Sequence, residues 1–151
     1  MSGIIFIDFD ALFQNTKTKK IIAESAIQTV FNFSKLQYHV YFISKKSLDE
    51  EFKNIWKQIV HSEKIPYHEI IFKNDTDTAW SRLKKILKTE ELSHNYVIAS
   101  DQHILYMFES FNIQKICFKK VNDNNIRFVK KWNDTLSFIK KNERIYAVHR
   151  K

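Results

Sequence analysis

Short apolar runs alternate along this chain with longer stretches whose apolar positions recur at helical spacing. Residues 3–7 form a continuous apolar segment ending on Asp8, which predicts a strand buried on both faces. Over 18–34, Ile21, Ile22, Ala26, Ile27, Val30, Phe31 and Phe33 predict an amphipathic helix. Residues 39–43 predict a second buried strand, stopping at Ser44. Ser47-Leu48-Asp49-Glu50 supplies an N-cap and first-turn acids for a helix with Phe52, Ile55, Trp56, Ile59 and Val60 inside. Pro66 breaks the chain before a third strand at 67–72. Asp75 or Asp77 then caps a helix through Trp80, Leu83, Ile86 and Leu87. A fourth strand at 96–99 ends on Ser100-Asp101, and a short helix at 104–111 leads to a fifth strand at 115–118. A polar turn at 122–125 and a helix at 130–141 follow, leaving 142–151 as a basic tail, either an arm or a last strand.

Strand and helix alternate throughout, so the predicted fold class is α/β. We expect one Rossmann-like three-layer domain over 1–151, with a mostly parallel sheet of about five strands and helices on both faces. In such sheets ligands bind outside the carboxyl ends of the strands. That rule turns scattered polar residues into one candidate site, because Asp8, Asp10, Ser44, Lys73 and Asp101 all stand at or just after predicted strand ends.

Composition narrows the chemistry. A single glycine, Gly3, leaves no room for a P-loop or a dinucleotide fingerprint, each of which needs several. Any phosphate chemistry must come from carboxylates, a metal, Lys, hydroxyls and helix N-termini. A lone Cys117 excludes a disulfide framework and a multi-cysteine zinc site. The six histidines show no metal-ligand spacing, and only His103 falls near the candidate site. Trp56, Trp80 and Trp132 fall on apolar helix faces and are expected in the core. No apolar run approaches the roughly 18–20 residues of a membrane span, and acids follow the first run at once, so a cytoplasmic protein is expected. With 25 Lys+Arg against 17 Asp+Glu the net charge is +8, which suits a phosphorylated substrate or nucleic acid. An AT-rich coding sequence produces the same excess without any such partner.

Carboxylates gathered without cation partners repel, and a hard cation is the usual reason to assemble them. The run Ile4-Ile5-Phe6-Ile7-Asp8-Phe9-Asp10-Ala11-Leu12-Phe13 resembles the first motif of the haloacid dehalogenase (HAD) superfamily of phosphohydrolases. The strand ending at Ser44 resembles the second motif, Phe72-Lys73-Asn74-Asp75 the third, and the strand ending at Asp101 the fourth. The resemblance implies that Asp8 is the nucleophile of an aspartyl-phosphate and Asp10 the acid/base. It also implies that Ser44 and Lys73 hold the phosphoryl group, and that Asp8, Asp101 and the backbone of Asp10 hold Mg²⁺, with Mn²⁺ as a substitute. The gaps between motifs leave no space for a cap domain, which suits a large substrate such as a nucleic-acid end. Three departures accompany the match. Leu12 replaces the usual Thr or Val, Ser100 replaces a glycine, and no carboxylate occurs between Gln102 and Phe108, where a second acid is expected. They admit a catalytically degenerate, HAD-like binding protein as an alternative.

The opening is also similar to that of PIN-like and NYN-like nucleases. That resemblance implies a metal-dependent ribonuclease site of Asp8, Asp75, Asp77 and Asp101, with His103 where such enzymes carry a further acid. Asp10, Ser44 and Lys73 favour the phosphohydrolase; the charge and Asp75/Asp77 favour the nuclease.

Overall fold

The computed structural model describes residues 3–15, 21–45, 49–72, 76–89 and 94–149, with the side chains of 76–78, 88–89 and 146–149 left aside. The strands are β1 (Gly3–Asp8), β2 (Tyr38–Ser44), β3 (Glu69–Phe72), β4 (Asn95–Ala99), β5 (Gln114–Cys117) and β6 (Ile126–Phe128). The helices are α1 (Ala26–Lys35), α2 (Glu50–Trp56), α3 (Thr76–Thr89), α4 (Gln102–Leu105) and α5 (Trp132–His149). A 3₁₀ turn, Phe9–Leu12, follows β1, and a π-helical turn, Lys57–His61, extends α2.

The six strands form one parallel sheet in the order β3-β2-β1-β4-β5-β6. The chain turns outward from β1 in both directions, so the switch point of this doubly wound sheet lies between β1 and β4. Ile5, Ile7, Val40, Phe42 and Ile98 face a layer made by α1, α2 and α5. Ile4, Phe6, Ile43, Val97 and Ala99 face α3 and α4. Continuous apolar runs are what a strand covered on both faces requires.

The expected five strands become six. Ile126–Phe128 pairs with β5 but is short and half-exposed, so it carries too little apolar pattern to be read as a strand. The helix expected over 18–34 begins only at Ala26. Before it, Phe13 and Ile22 form an antiparallel bridge, and Ser25 turns the chain in the left-handed region at φ 65°. Ile21, 60% exposed, was part of the misleading helical pattern. Of the tail expected over 142–151, residues 142–149 continue α5, and 150–151 lie outside the described residues. The second helix takes Asp49 as its cap, whose carboxylate accepts the Phe52 N–H at 2.8 Å. Trp80 is exposed rather than core, with the Lys84 ammonium 5.1 Å from its ring centroid. Gly3 has a structural use far from the strand C-termini: a Cβ there would collide with the carbonyl oxygen of His94. Among the described residues no helix is long and apolar enough to cross a membrane.

Candidate active site

Asp8 is the last residue of β1 and is fully buried. Its Oδ1 accepts the Asp10 N–H at 3.1 Å, which caps the 3₁₀ turn. Its Oδ2 accepts the Ser100 backbone N–H at 3.0 Å and also the Ser100 hydroxyl. The turn that carries Asp10 is itself fixed by packing. Phe9 lies among Phe13, Phe42, Phe52 and Trp56, and Trp132 donates its Nε1–H to the Ala11 carbonyl at 3.0 Å.

Asp101 follows β4 across the switch point and caps α4, accepting the His103 N–H at 2.9 Å. Between the two strand ends lies the ammonium of Lys45, the residue after β2. Its Nζ is 2.8 Å from Asp101 Oδ2, 3.8 Å from Asp8 Oδ2 and 4.0 Å from Asp10 Oδ2, and it reaches the Ser100 hydroxyl at 3.3 Å. Asp8, Asp10 and Asp101 are thus brought together around the ammonium of Lys45.

Burial sets the electrostatics. It pushes the Asp8 carboxyl above its ordinary range, opposed by the Lys45 charge and the Ser100 hydrogen bond. Burial alone would lower Lys45, but the charge of Asp8 and the bond and charge of Asp101 outweigh it, and the ammonium is held above its usual pKa. Burial would likewise raise Asp101, yet its bonds to Lys45 and the His103 N–H leave it below the usual carboxylate range.

Ser44 is buried at the end of β2, next to Lys45. Lys73 and Asp75 lie outside the described residues, and Asp77 falls in the first turn of α3 with its side chain likewise outside. The two members of the nuclease set beyond Asp8 and Asp101, the carboxylates of Asp75 and Asp77, therefore lie outside the described residues. Two participants were underweighted in the sequence. Lys45 stands directly after a strand end, where its sequence context is the same for a solvated side chain and for one turned into carboxylates. Ser100 reads as a lost glycine rather than a second donor to Asp8.

Beside Ser100 a cleft of about 450 Å³ opens between the Phe13–Ile22 bridge and the start of α5. Gln14, Glu24, Ser25, Lys130, Lys131 and Asn133 give it a polar lining.

The HAD resemblance implies Mg²⁺ at this cluster. Among the described residues no three Asp, Glu, His or Cys side chains are arranged to hold a metal ion together. The Asp10 carbonyl, one of the expected ligands, accepts the Phe13 N–H at 3.2 Å. The three carboxylates are arranged around an ammonium instead, so the donor set does not fit a divalent cation as it stands.

D,D-heptose 1,7-bisphosphate phosphatase from B. bronchiseptica, complexed with magnesium and phosphate, is similar with a TM-score of 0.71 at 8% identity, over 94% of this chain and 99% of that one. The fold is HAD-like. The HAD-like assignment is repeated by the D,D-heptose 1,7-bisphosphate phosphatase from Burkholderia thailandensis, at TM-score 0.62 and 8% identity over 89% of this chain and 96% of that one. The core domain of a Streptococcus pneumoniae TIGR4 protein provisionally named phosphoglycolate phosphatase also matches, at TM-score 0.62 and 12% identity over 92% and 95%. No protein-family model matches the sequence, and no curated protein matches it significantly. At these identities the likeness to the HAD-like phosphatases is one of fold.

Proposed function

We propose that this chain hydrolyses a phosphoester through an aspartyl-phosphate on Asp8. The observation that carries this reading is how Asp8 is held at the switch point, where among the described residues Oδ2 accepts two donors from Ser100 and Oδ1 accepts the Asp10 N–H. A carboxylate fixed at one oxygen presents the other in one orientation, which is what a nucleophile needs.

In the first step Asp8 Oδ1 attacks phosphorus, the bond to the ester oxygen breaks, and Asp10 gives that oxygen a proton. In the second, Asp10 takes a proton from water as the water attacks phosphorus, and the Asp8 carboxylate leaves with inorganic phosphate freed. The ester oxygen and the water oxygen exchange one proton through Asp10, so the residues return to their starting state. Lys45, whose ammonium lies 3.8 Å from Asp8 Oδ2, would offset the negative charge that gathers on a group transferred to Asp8. The magnesium implied by the resemblance enters none of these steps, because the carboxylates that would hold it surround Lys45.

The neighbouring cleft suits the organic part of the substrate. Lys130 and Lys131 on its wall, with the net charge of +8, favour an ester carrying further negative charge, a nucleic-acid end included.

The test is release of p-nitrophenol from p-nitrophenyl phosphate by purified protein, with and without Mg²⁺. Activity should vanish in Asp8→Asn and persist in Asp75→Asn. Turnover that survives Asp8→Asn rules the mechanism out, and EDTA-sensitive cutting of single-stranded RNA that is lost in Asp101→Asn would favour the nuclease instead.

A further inference from the structure

Three carboxylates and one ammonium share the end of the β1–β4 crevice, and the ammonium stands where a divalent ion would have to go. Mg²⁺ takes near-octahedral oxygen ligands at about 2.0–2.1 Å, usually one or two carboxylates with water and phosphate oxygens. The strand ends offer Asp8 Oδ2 and Asp101 Oδ2 for that purpose, and Lys45 Nζ lies 3.8 and 2.8 Å from them. An ion ligated by both would face the ammonium across a few ångströms with like charge, so the two cations exclude each other.

Two further observations point the same way. Asp8 Oδ2 already accepts both donors of Ser100, where a glycine would offer only its N–H. After Asp101 the chain has no acid before Glu109, and α4 buries Ile104 and Leu105 in the core. A third metal carboxylate is thus missing from the element that follows Asp101, while a tethered positive charge has been added on the element facing it.

We propose that Lys45 is a built-in cation that occupies the divalent-metal position of this site, so that the chain binds a phosphoryl group without a metal. An ammonium serves as a point charge for phosphate as it does for carboxylates. A side chain tethered to β2 is present at every turnover, whereas a free ion must be captured from solution. The inference deepens the phosphoester reading and rests on it for the anion bound, but not for the position of the cation.

The test compares wild type, Lys45→Met and Lys45→Arg. Thermal melting with Mg²⁺ or Mn²⁺ reads the cation alone, since a ligand that binds only the folded state raises the midpoint with its concentration. The wild-type and Lys45→Arg midpoints should stay flat, and the Lys45→Met midpoint should rise. Calorimetry with inorganic phosphate reads the anion: wild type should bind equally in EDTA and in Mg²⁺, and Lys45→Met should bind only when Mg²⁺ is present. A metal-dependent rise in wild type, or no rise in Lys45→Met, overturns the inference. If Lys45→Met does not fold, the wild-type melts decide by themselves. Failure of wild type to bind phosphate in any condition counts against the phosphoester reading, while the melts still judge the cation.

Discussion

Ser100 gives both its backbone N–H and its hydroxyl to the same carboxylate oxygen of Asp8, across the gap between β4 and β1. This bond pair ties the two strand ends at the switch point and favours the ionised form of a carboxylate that burial pushes the other way. In Ser100→Ala the backbone N–H remains and the hydroxyl is lost. Hydrogen bonds to charged groups contribute about 1.5–3 kcal/mol, so the variant should be less stable by roughly that amount. At about 2–4 °C per kcal/mol for a chain of this size, the loss is readable in a thermal melt. Without the hydroxyl the Asp8 pKa rises further, and the acid limb of the rate profile should shift to higher pH. An unmoved limb would mean that Ser100 ties strands without tuning the nucleophile.

In the mechanism we propose, Asp10 separates the two chemical steps. A nitrophenolate departs without needing a proton, so Asp10→Asn should still be phosphorylated by p-nitrophenyl phosphate. Water has to lose a proton to attack, so breakdown of the phosphoenzyme should slow by about 10²–10⁴-fold, the usual contribution of a general base. Quenched samples of the variant should therefore carry acid-stable, hydroxylamine-labile phosphate, which wild type would hold only transiently. Absence of label in both would speak against a covalent step.

The Asp101–Lys45 pair predicts the direction of acid destabilisation. The folded-state pKa of Asp101 lies below its ordinary value of 3.8, so its contribution to stability is present above that pH and is lost as pH falls through the folded value. Asp8 works in the opposite sense. Its pKa is raised, so its contribution is complete below 3.8 and lost as pH climbs through the raised value. Denaturation midpoints between pH 2 and 7 should show a steeper acid limb in wild type than in Asp101→Asn. Superimposable limbs would place the acid sensitivity elsewhere.

The strand ends were legible because buried parallel strands are nearly all apolar, so the first carboxylate after each run marks where it stops; Asp8 and Asp101 were found that way. The helices on the sheet were legible by period. Less visible was anything set by contacts between distant segments. Ile21 extends a helical pattern although its backbone pairs near Phe13, and β6 has only three residues, one of them half-buried. Lys45 carried no pattern of its own, because one lysine after a strand looks the same whether it points to solvent or into carboxylates. Its role follows only from the sheet order, which sets the ends of β1, β2 and β4 side by side.

Trp132 shows how a residue remote in sequence positions the site. It is buried at the start of α5, its ring centroid lies 5.2 Å from that of Phe118, and its Nε1–H reaches the Ala11 carbonyl at 3.0 Å. Ala11 belongs to the 3₁₀ turn that carries Asp10, so this bond fastens the proposed acid/base to the helix that closes the fold. Trp132→Phe keeps most of the apolar surface and removes the donor, leaving a buried carbonyl with a lost bond at a cost of about 1–3 kcal/mol. The turn would keep its Phe9 packing, the Asp8 cap and the Ala23 N–H bond to the Leu12 carbonyl, but lose its tie to α5. Because Asp10 serves both steps of the proposed mechanism and Asp8 is also held by Ser100, the variant should lose turnover while still accepting phosphate. Paired measurements of melting temperature, phosphate affinity and p-nitrophenyl phosphate turnover check this. Equal losses of affinity and turnover would instead mean that Trp132 supports the whole crevice rather than the position of Asp10.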